Sequence, residues 1–219
     1  QGEFVDLVIN EMIPLVAKER LADFIDVFCD TGFFTVEETD RMLEAGVRYG
    51  LTPKIHANEL DYSGGIEVGV KHGALSVDHL ECVGDKEIAA LKSSKTMPTI
   101  LPGAAFFLNM PYSPARKMIS AGLPVAMASD FNPGSSPSGN MQMIMTFACV
   151  NYRLTPQEAL NATTINSAYA MGLSRTHGSI CRGKNANFYI TKAIPTLEYI
   201  PYYYGTNKVS RTFLNGKEQ

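Results

Sequence analysis

Tryptophan is absent from this chain, and histidine occurs only 4 times in 219 residues. Cysteine is equally sparse. Cys29, Cys82, Cys149 and Cys181 lie far apart with no CxxC pair, which argues against a zinc ribbon or a redox dithiol. Free, mostly buried thiols in a reducing compartment are the expectation. No apolar run approaches the roughly 18 to 20 residues that a membrane helix needs. The opening QGEFVDLVINEM mixes acids into apolar positions and lacks the basic start of a signal peptide, so a cytoplasmic protein is expected. A strong charge of one sign is also missing. A net charge of -3, with the basic residues scattered, points away from nucleic acid or an anionic membrane and toward a small partner. Neither GxGxxG nor a P-loop pattern occurs, so an open doubly wound sheet would lack its usual ligand signature.

What is present is a regular alternation in an ordinary globular composition, 45% hydrophobic and 19% charged. After a helical segment at about residues 4–20, five short apolar runs read as strands: FIDVFCD, KIHAN, LSVDHLE, TMPTILP and LPVAMASD. Helical segments separate them: TVEETDRMLEAGVRYG, GGIEVGVKHG, DKEIAALKSSK and SPARKMISAG. The first has capping-box spacing at Thr35 and Glu38 and a stop at Gly50. Strands apolar on both faces and separated by helices predict a parallel sheet covered by helices. Two more helices follow, GNMQMIMTFACVNYR and LTPQEALNATTINSAYAMG; in the second, Thr155 caps, Pro156 takes the first helical position and Glu158 completes the box. From Gly178 the pattern changes to short β stretches with Gly and Asn turns. The expected division is residues 1–177 as a partial barrel and 178–219 as a small antiparallel appendage. Five parallel strands do not close a barrel, which takes eight, so the sequence reads as the back part of something larger.

Polar residues that end the strands are the candidates for chemistry. His56 ends KIHAN, with Glu59 three residues on; a neutral imidazole can ligate a metal, and a carboxylate beside it can orient a substrate or move a proton. His79 ends LSVDHLE. Asp130 ends LPVAMASD and opens the loop FNPGSSPSGN. A carboxylate there is costly to bury unless paired, hydrogen-bonded or bound to a cation, and loops of small polar residues carry ligands. Convergence of such residues on one rim is how α/β barrels place their chemistry. Asp30 is expected to have a structural or supporting role, and Asp78, alternating with His79, to point to the opposite face. His72 is expected at a helix C-terminus and His177 at the surface. Tyr202, Tyr203 and Tyr204 are expected to pack under the appendage, since no basic groove accompanies them.

The ordered set KIHANEL, VDHLE, ASDFNPGSSPSGNMQ and TPQEALNATTINSAYAMG resembles the imidazolonepropionases, a family of the amidohydrolase superfamily, over nearly the whole chain. The resemblance implies a distorted (β/α)8 TIM-like barrel, of which this chain supplies about strands 4 to 8, with part of a composite β-sandwich at the C-terminus. It implies one zinc or iron ion and hydrolysis of the cyclic amide 4-imidazolone-5-propanoate to N-formimidoyl-L-glutamate in histidine degradation. Matched position by position, His56 and Asp130 are metal ligands. Asp130, His79 and Glu59 take part in the proton transfers, and Glu59, Asn132, Gly134 and Ser135 bind substrate or product. A cyclic amide is a poor electrophile, so the family relies on a metal that lowers the pKa of water. The chain departs from the family in one respect that matters: no HxH pair occurs in it, leaving half of the protein ligands absent and metal binding by these residues alone weak. Asn185 and Asn187 stand where the family commonly has Asp. A homodimer is compatible with the family, and the missing first strands would leave an apolar sheet edge exposed. Two alternatives stand beside this one: another amidohydrolase such as a nucleobase deaminase, and a non-catalytic barrel fragment.

Overall fold

The structure, a computed structural model, describes residues 2–219. Its contacts divide the chain into two compact units, one running through Thr99 with a short return at Ala121–Leu123, the other comprising Ile100–Ser120 and Pro124–Gln219.

The first unit opens with α1 (Gly2–Leu7), a π-helical turn at Val8–Met12 and α2 (Ile13–Glu19), ended by Arg20 in the left-handed region. Strands β1 (Phe24–Cys29), β2 (Thr52–Ala57), β3 (Ser76–His79) and β4 (Met97–Ile100) then alternate with α3 (Val36–Arg48), α4 (Gly65–Lys71) and α5 (Asp85–Lys92). The strands lie in chain order, and β1 with β2, β2 with β3 and β3 with β4 pair parallel. The predicted capping box begins α3: Thr35 Oγ1 accepts from the Glu38 amide at 3.2 Å while Glu38 Oε2 accepts from the Thr35 amide at 3.0 Å.

One face of this sheet is apolar. Val27, Ile55, Ala57 and Val77 are buried there, and α4 comes close enough to cover them only because its inner positions lack side chains. A Cβ on Gly65 would stand 2.5 Å from Ala57 Cβ and 3.1 Å from the Cys29 carbonyl; one on Gly69 would stand 2.8 Å from Ile55 Cγ2. The other face is polar and carries the candidate site.

The second unit starts at the last residue of β4. Beside it lies β5 (Ala126–Met127), whose neighbour Ala128 donates its amide to the Ile100 carbonyl at 3.3 Å. Helices α6 (Pro102–Phe107), α7 (Ala115–Ser120), α8 (Met141–Val150) and α9 (Pro156–Asn161) follow, then a π-helical turn at Ala162–Asn166 and α10 (Ser167–Ala170). The chain continues through β6 (Phe188–Thr191), α11 (Tyr199–Tyr202), β7 (Val209–Leu214) and β8 (Lys217–Glu218). The last three strands make an antiparallel sheet, β6-β7-β8, stapled by the stacked rings of Phe188 and Phe213, 4.7 Å apart. Gln142 on α8 ties the appendage in: its Nε2 donates to the carbonyls of Ile200, Tyr203 and Thr206 at 3.0, 3.1 and 3.2 Å, and its Oε1 accepts from the Lys208 amide.

Four sequence expectations need correction. TMPTILP is not strand throughout: β4 stops at Ile100 and Pro102 begins α6 at its first turn, where its missing N–H costs nothing. Strand β5 is only two residues long, so Asp130 lies beyond it in a left-handed turn, φ 52°. Tyr202, Tyr203 and Tyr204 are exposed; Tyr203 stacks on Tyr199 at 5.3 Å, with the Lys208 ammonium 3.8 Å from the Tyr203 ring centre. Of the four thiols only Cys29 is buried; Cys82 and Cys149 are half-buried and Cys181 is exposed. His72 does cap a helix C-terminus, with its Nε2 2.6 Å from Asp40 Oδ1. Among the described residues no helix is long and apolar enough to cross a membrane.

Two predictions follow from this packing. Gly65→Ala drives a methyl into Ala57 and the Cys29 carbonyl, and should destabilise the protein by about 1 to 3 kcal/mol in a denaturant titration. The second concerns Glu158, which caps α9 by accepting from the Thr155 amide at 2.7 Å and holds Arg116 of α7 at 2.6 Å. The bond from Arg116, the largest influence, keeps its carboxyl below the ordinary glutamate range; burial opposes it next in size, and the Thr155 bonds add smaller lowering effects. The unfolded chain therefore binds its proton first, and the stability Glu158 contributes is present above the unfolded pKa of about 4.3 and lost as pH falls through the lower folded value. Glu158→Gln should show its stability deficit at pH 7 and lose that deficit in acid, as followed by thermal melts across pH.

Candidate active site

The parallel register decides which side chains meet. Asp26 stands opposite Lys54, Phe28 opposite His56, and His56 opposite Asp78. Since side chains alternate along a strand, Asp26 and Phe28, Lys54 and His56, and Ser76 and Asp78 all project from the polar face. His56 Nδ1 lies 2.9 Å from Asp26 Oδ1. Lys54 Nζ donates to Ser76 Oγ and lies 3.5 Å from Asp78 Oδ2, while Ser76 Oγ donates to Asp78 Oδ1 at 2.7 Å. The buried Ser76 and Asp78 thus share a cation one strand away. Asp26, His56 and Asp78 each offer an atom within 4.8 Å of the other two.

His79 breaks the alternation expected of it. It ends β3 with φ 84°, and Leu80 follows at φ 71°, two successive non-glycine residues in a region that costs L-residues energy. That backbone brings the imidazole to the same side as Asp78's neighbours: its ring lies 5.2 Å from the His56 ring and stacks on Phe28 at 6.3 Å. Burial pushes its pKa down to about 3, with His56 adding to the effect and Asp26 partly opposing it. His79 is therefore a neutral imidazole at pH 7. Its Nδ1 lies 3.6 Å from Glu59 Oε2 and 4.0 Å from Glu81 Oε2, close approaches of a neutral ring to carboxylates rather than ion pairs.

Asp30 has the supporting role expected. Its buried carboxylate accepts from the backbone amides of Thr31, Glu59 and Leu60 at 2.7, 2.8 and 3.0 Å, which pins the segment carrying Glu59 to the end of β1. Asn58, fully buried with φ 56°, adds a second clamp by donating to the Cys82 carbonyl at 2.8 Å.

In the second unit the loop after Asp130 is held by Asn132. Its Oδ1 accepts from the amides of Gly134 and Ser135, both at 2.8 Å, and its Nδ2 donates to the Asp130 carbonyl at 2.7 Å and to Ser135 Oγ at 2.8 Å. Two acceptor and two donor positions are all that a carboxamide has. Ser135 Oγ lies 3.3 Å from Asp130 Oδ2, and Ser136 Oγ anchors the loop to the Ser129 carbonyl at 2.6 Å. The predicted residues Asp130, Asn132, Gly134 and Ser135 thus form one hydrogen-bonded group, while His56 and His79 face each other with ring centres 5.2 Å apart and Glu59 Oε2 approaches His79 Nδ1 at 3.6 Å. Larger apolar cavities of about 540 and 720 Å³ lie in the second unit between helices and appendage and include none of these residues.

Sequence reasoning missed Asp26, Lys54 and Ser76, and placed Asp78 on the wrong side of His79. The signal was available in part: Asp26, Lys54 and Ser76 each stand two residues before Phe28, His56 and Asp78 on their own strands. What the sequence does not print is the register between strands.

The family model of the amidohydrolase family matches residues 36–218. Among curated proteins, an imidazolonepropionase of Christiangramia forsetii is 55% identical over 98% of this chain and 52% of its own length. One of Flavobacterium psychrophilum is 54% identical over 99% of the chain and 53% of its own length; one of Geobacillus kaustophilus is 46% identical over 98% and 50%. The chain spans about half the length of the curated relatives it matches. Among solved structures, a zinc-bound adenosine deaminase from Xanthomonas campestris superposes with TM-score 0.73 at 16% identity, covering 89% of this chain and 51% of that one. A mutant atrazine chlorohydrolase from Arthrobacter aurescens, complexed with zinc and atraton, gives TM-score 0.77 at 17% identity, covering 98% and 55%. At such identities these structures bear on the fold.

The hydrogen bonds of the Asp130 loop predict the behaviour of Asn132→Ala. Losing the carboxamide takes the acceptor from the Gly134 and Ser135 amides, which water can partly replace at this exposed turn, and should cost about 0.5 to 1.5 kcal/mol. Hydrogen exchange should speed up at those two amides ahead of the rest of the second unit; unchanged exchange there would mean that the loop is held by something else.

Proposed function

The chain belongs to the amidohydrolase family, and from that premise we propose that it forms the C-terminal part of a metal-dependent barrel hydrolase with imidazolonepropionase activity. The observation that carries the proposal is 53 to 55% identity over nearly the whole chain to three proteins of that name. The barrel region and the antiparallel sheet, as part of a composite β-sandwich, follow the same reading, with residues 1–177 and 178–219 as its two domains.

The donor chemistry fits one zinc or iron ion. His56 offers an imidazole already oriented through Nδ1, and Asp130 a carboxylate set in a self-bonded loop; nitrogen and oxygen donors of this kind suit either metal. When bound, the metal supplies Lewis acidity toward water and the amide carbonyl. The protein's own groups perform the rest. Asp130 accepts a proton from the attacking water and returns it to the ring nitrogen as the C–N bond breaks, so that the carbonyl carbon leaves as a carboxylate and the nitrogen as part of the formimidoyl group. His79, kept neutral by burial, donates a hydrogen bond to the carbonyl oxygen as negative charge develops on it. Glu59, held by Asp30 through its own amide, accepts hydrogen bonds from the ring nitrogens. Gly134 and Ser135 bind substrate through the loop that Asn132 shapes. The substrate is small and soluble, which agrees with a chain lacking a strong basic surface, and the cytoplasm is the compartment proposed.

The test is product analysis on the protein as its gene encodes it, reconstituted with zinc or iron. 4-Imidazolone-5-propanoate should yield N-formimidoyl-L-glutamate, and His56→Ala or Asp130→Asn should lose both metal and turnover. Ammonia release from a nucleobase would instead favour a deaminase. The 219 residues alone, with two of the metal's protein ligands, should show no turnover on this substrate.

A further inference from the structure

Resting on the reading of His56 as a metal ligand, we propose that Asp26 is a positioning residue for it, accepting Nδ1–H so that the ring is fixed in the tautomer that ligates through Nε2. A histidine can ligate through either nitrogen, and the hydrogen bond made by one decides which is left for the metal. Here the choice is built into the sheet. Asp26 stands one pleat below Phe28, the register partner of His56, and from there its Oδ1 reaches His56 Nδ1 at 2.9 Å. The ring is bracketed by Phe28, with centroids 6.0 Å apart, and by His79 at 5.2 Å, so rotation about its own axis is restricted on two sides. A carboxylate acceptor on the outer ring nitrogen is the arrangement that orients a ligating histidine toward its metal.

The competing explanation is that Asp26, His56 and Asp78, whose donor atoms lie within 4.8 Å of one another, form a cation site of their own. The surroundings of Asp78 weigh against it. Its Oδ1 accepts from Ser76 and its Oδ2 lies 3.5 Å from the Lys54 ammonium, which is itself bonded to Ser76. A cation is already in place on that side, and a second would be repelled by it. Asp78 balances Lys54, which leaves Asp26 as the carboxylate that serves His56. Nothing in the family resemblance marks Asp26; its assignment comes from the register and the 2.9 Å contact.

The experiment compares wild type, Asp26→Asn, Asp26→Ala and His56→Ala in the protein as its gene encodes it. Zinc affinity is measured by chelator competition, and the His56 ring nitrogens of the metal-free protein are observed by ¹⁵N NMR. Wild type should carry its ring proton on Nδ1. Asp26→Asn, which keeps the shape, should lose about 10-fold in affinity and Asp26→Ala up to about 100-fold, with the proton shifting toward Nε2 in the alanine variant. If Asp26→Ala does not fold, the isosteric asparagine variant decides. Unchanged affinity in Asp26→Asn alongside a crippled His56→Ala overturns the role of Asp26 and leaves His56 as a ligand. Unchanged affinity in His56→Ala overturns the reading of the site itself.

Discussion

A sheet face that carries Asp26, Lys54, His56, Ser76 and Asp78 on three adjacent strands is stable only if its charges are matched within it, because an unpaired ion in a partly buried setting costs several kcal/mol. The parallel register meets that condition. Placing His56 opposite Asp78 puts Lys54 opposite both Asp26 and Ser76, so the ammonium is shared by Ser76 and Asp78 while Asp26 turns to the imidazole. A slip of one residue would send this polar set to the helix side and Ile55 and Val77 to the site. The apolar face enforces the same register from behind. Gly65 and Gly69 admit α4 to within contact of Ala57, Ile55 and Val77, a fit that holds for one alignment of helix and strands.

Past the strand ends, hydrogen bonds and strained backbone take over from register. Asn58, His79 and Leu80 all have positive φ, a conformation tolerated where surrounding contacts over-determine it. Asp30 binds the amides of Glu59 and Leu60, and Asn58 binds the Cys82 carbonyl. The result is that His79 turns toward His56 instead of away, into a setting dry enough to keep it uncharged. A neutral imidazole next to a carboxylate is suited to donating a hydrogen bond without carrying a charge that would repel a metal.

Much of this was legible in the sequence, and the failures share a cause. The βα alternation, the capping boxes at Thr35 and Thr155 and the antiparallel end were readable because each is a local pattern. So were His56, Glu59, His79 and Asp130 as candidates, since a polar residue closing an apolar run stands out, and the family resemblance named the same positions. Helix α6 was lost because PGAAFF is apolar without periodicity and joins an apolar strand. The face of Asp78 relative to His79 was misjudged because alternation assumes extended backbone, and His79 is not extended. Asp26 was missed because its partner is 30 residues away, fixed by strand pairing that no local window contains. The lack of a basic groove argues against a stacking platform but does not bury the three tyrosines; in this appendage Tyr203 stacks on Tyr199 in an exposed position, with the Lys208 ammonium over its ring.

The two candidate ligands are held by different means, and that difference bears on how each tolerates change. His56 owes its position to pairing between strands and to a carboxylate far away in sequence, so it exists only when the sheet does. The loop that Asp130 opens is shaped by bonds among residues 129–136, each of these spanning 7 positions or fewer. This loop can keep its shape on local terms, with Asn132 saturating its own hydrogen-bonding capacity in doing so. A group fixed by topology is precise but depends on the whole unit, whereas one fixed by a self-bonded turn is robust but adjustable by substitutions in the turn. Substitutions are therefore best accommodated in the loop following Asp130, while β1 to β3 must be kept as a set.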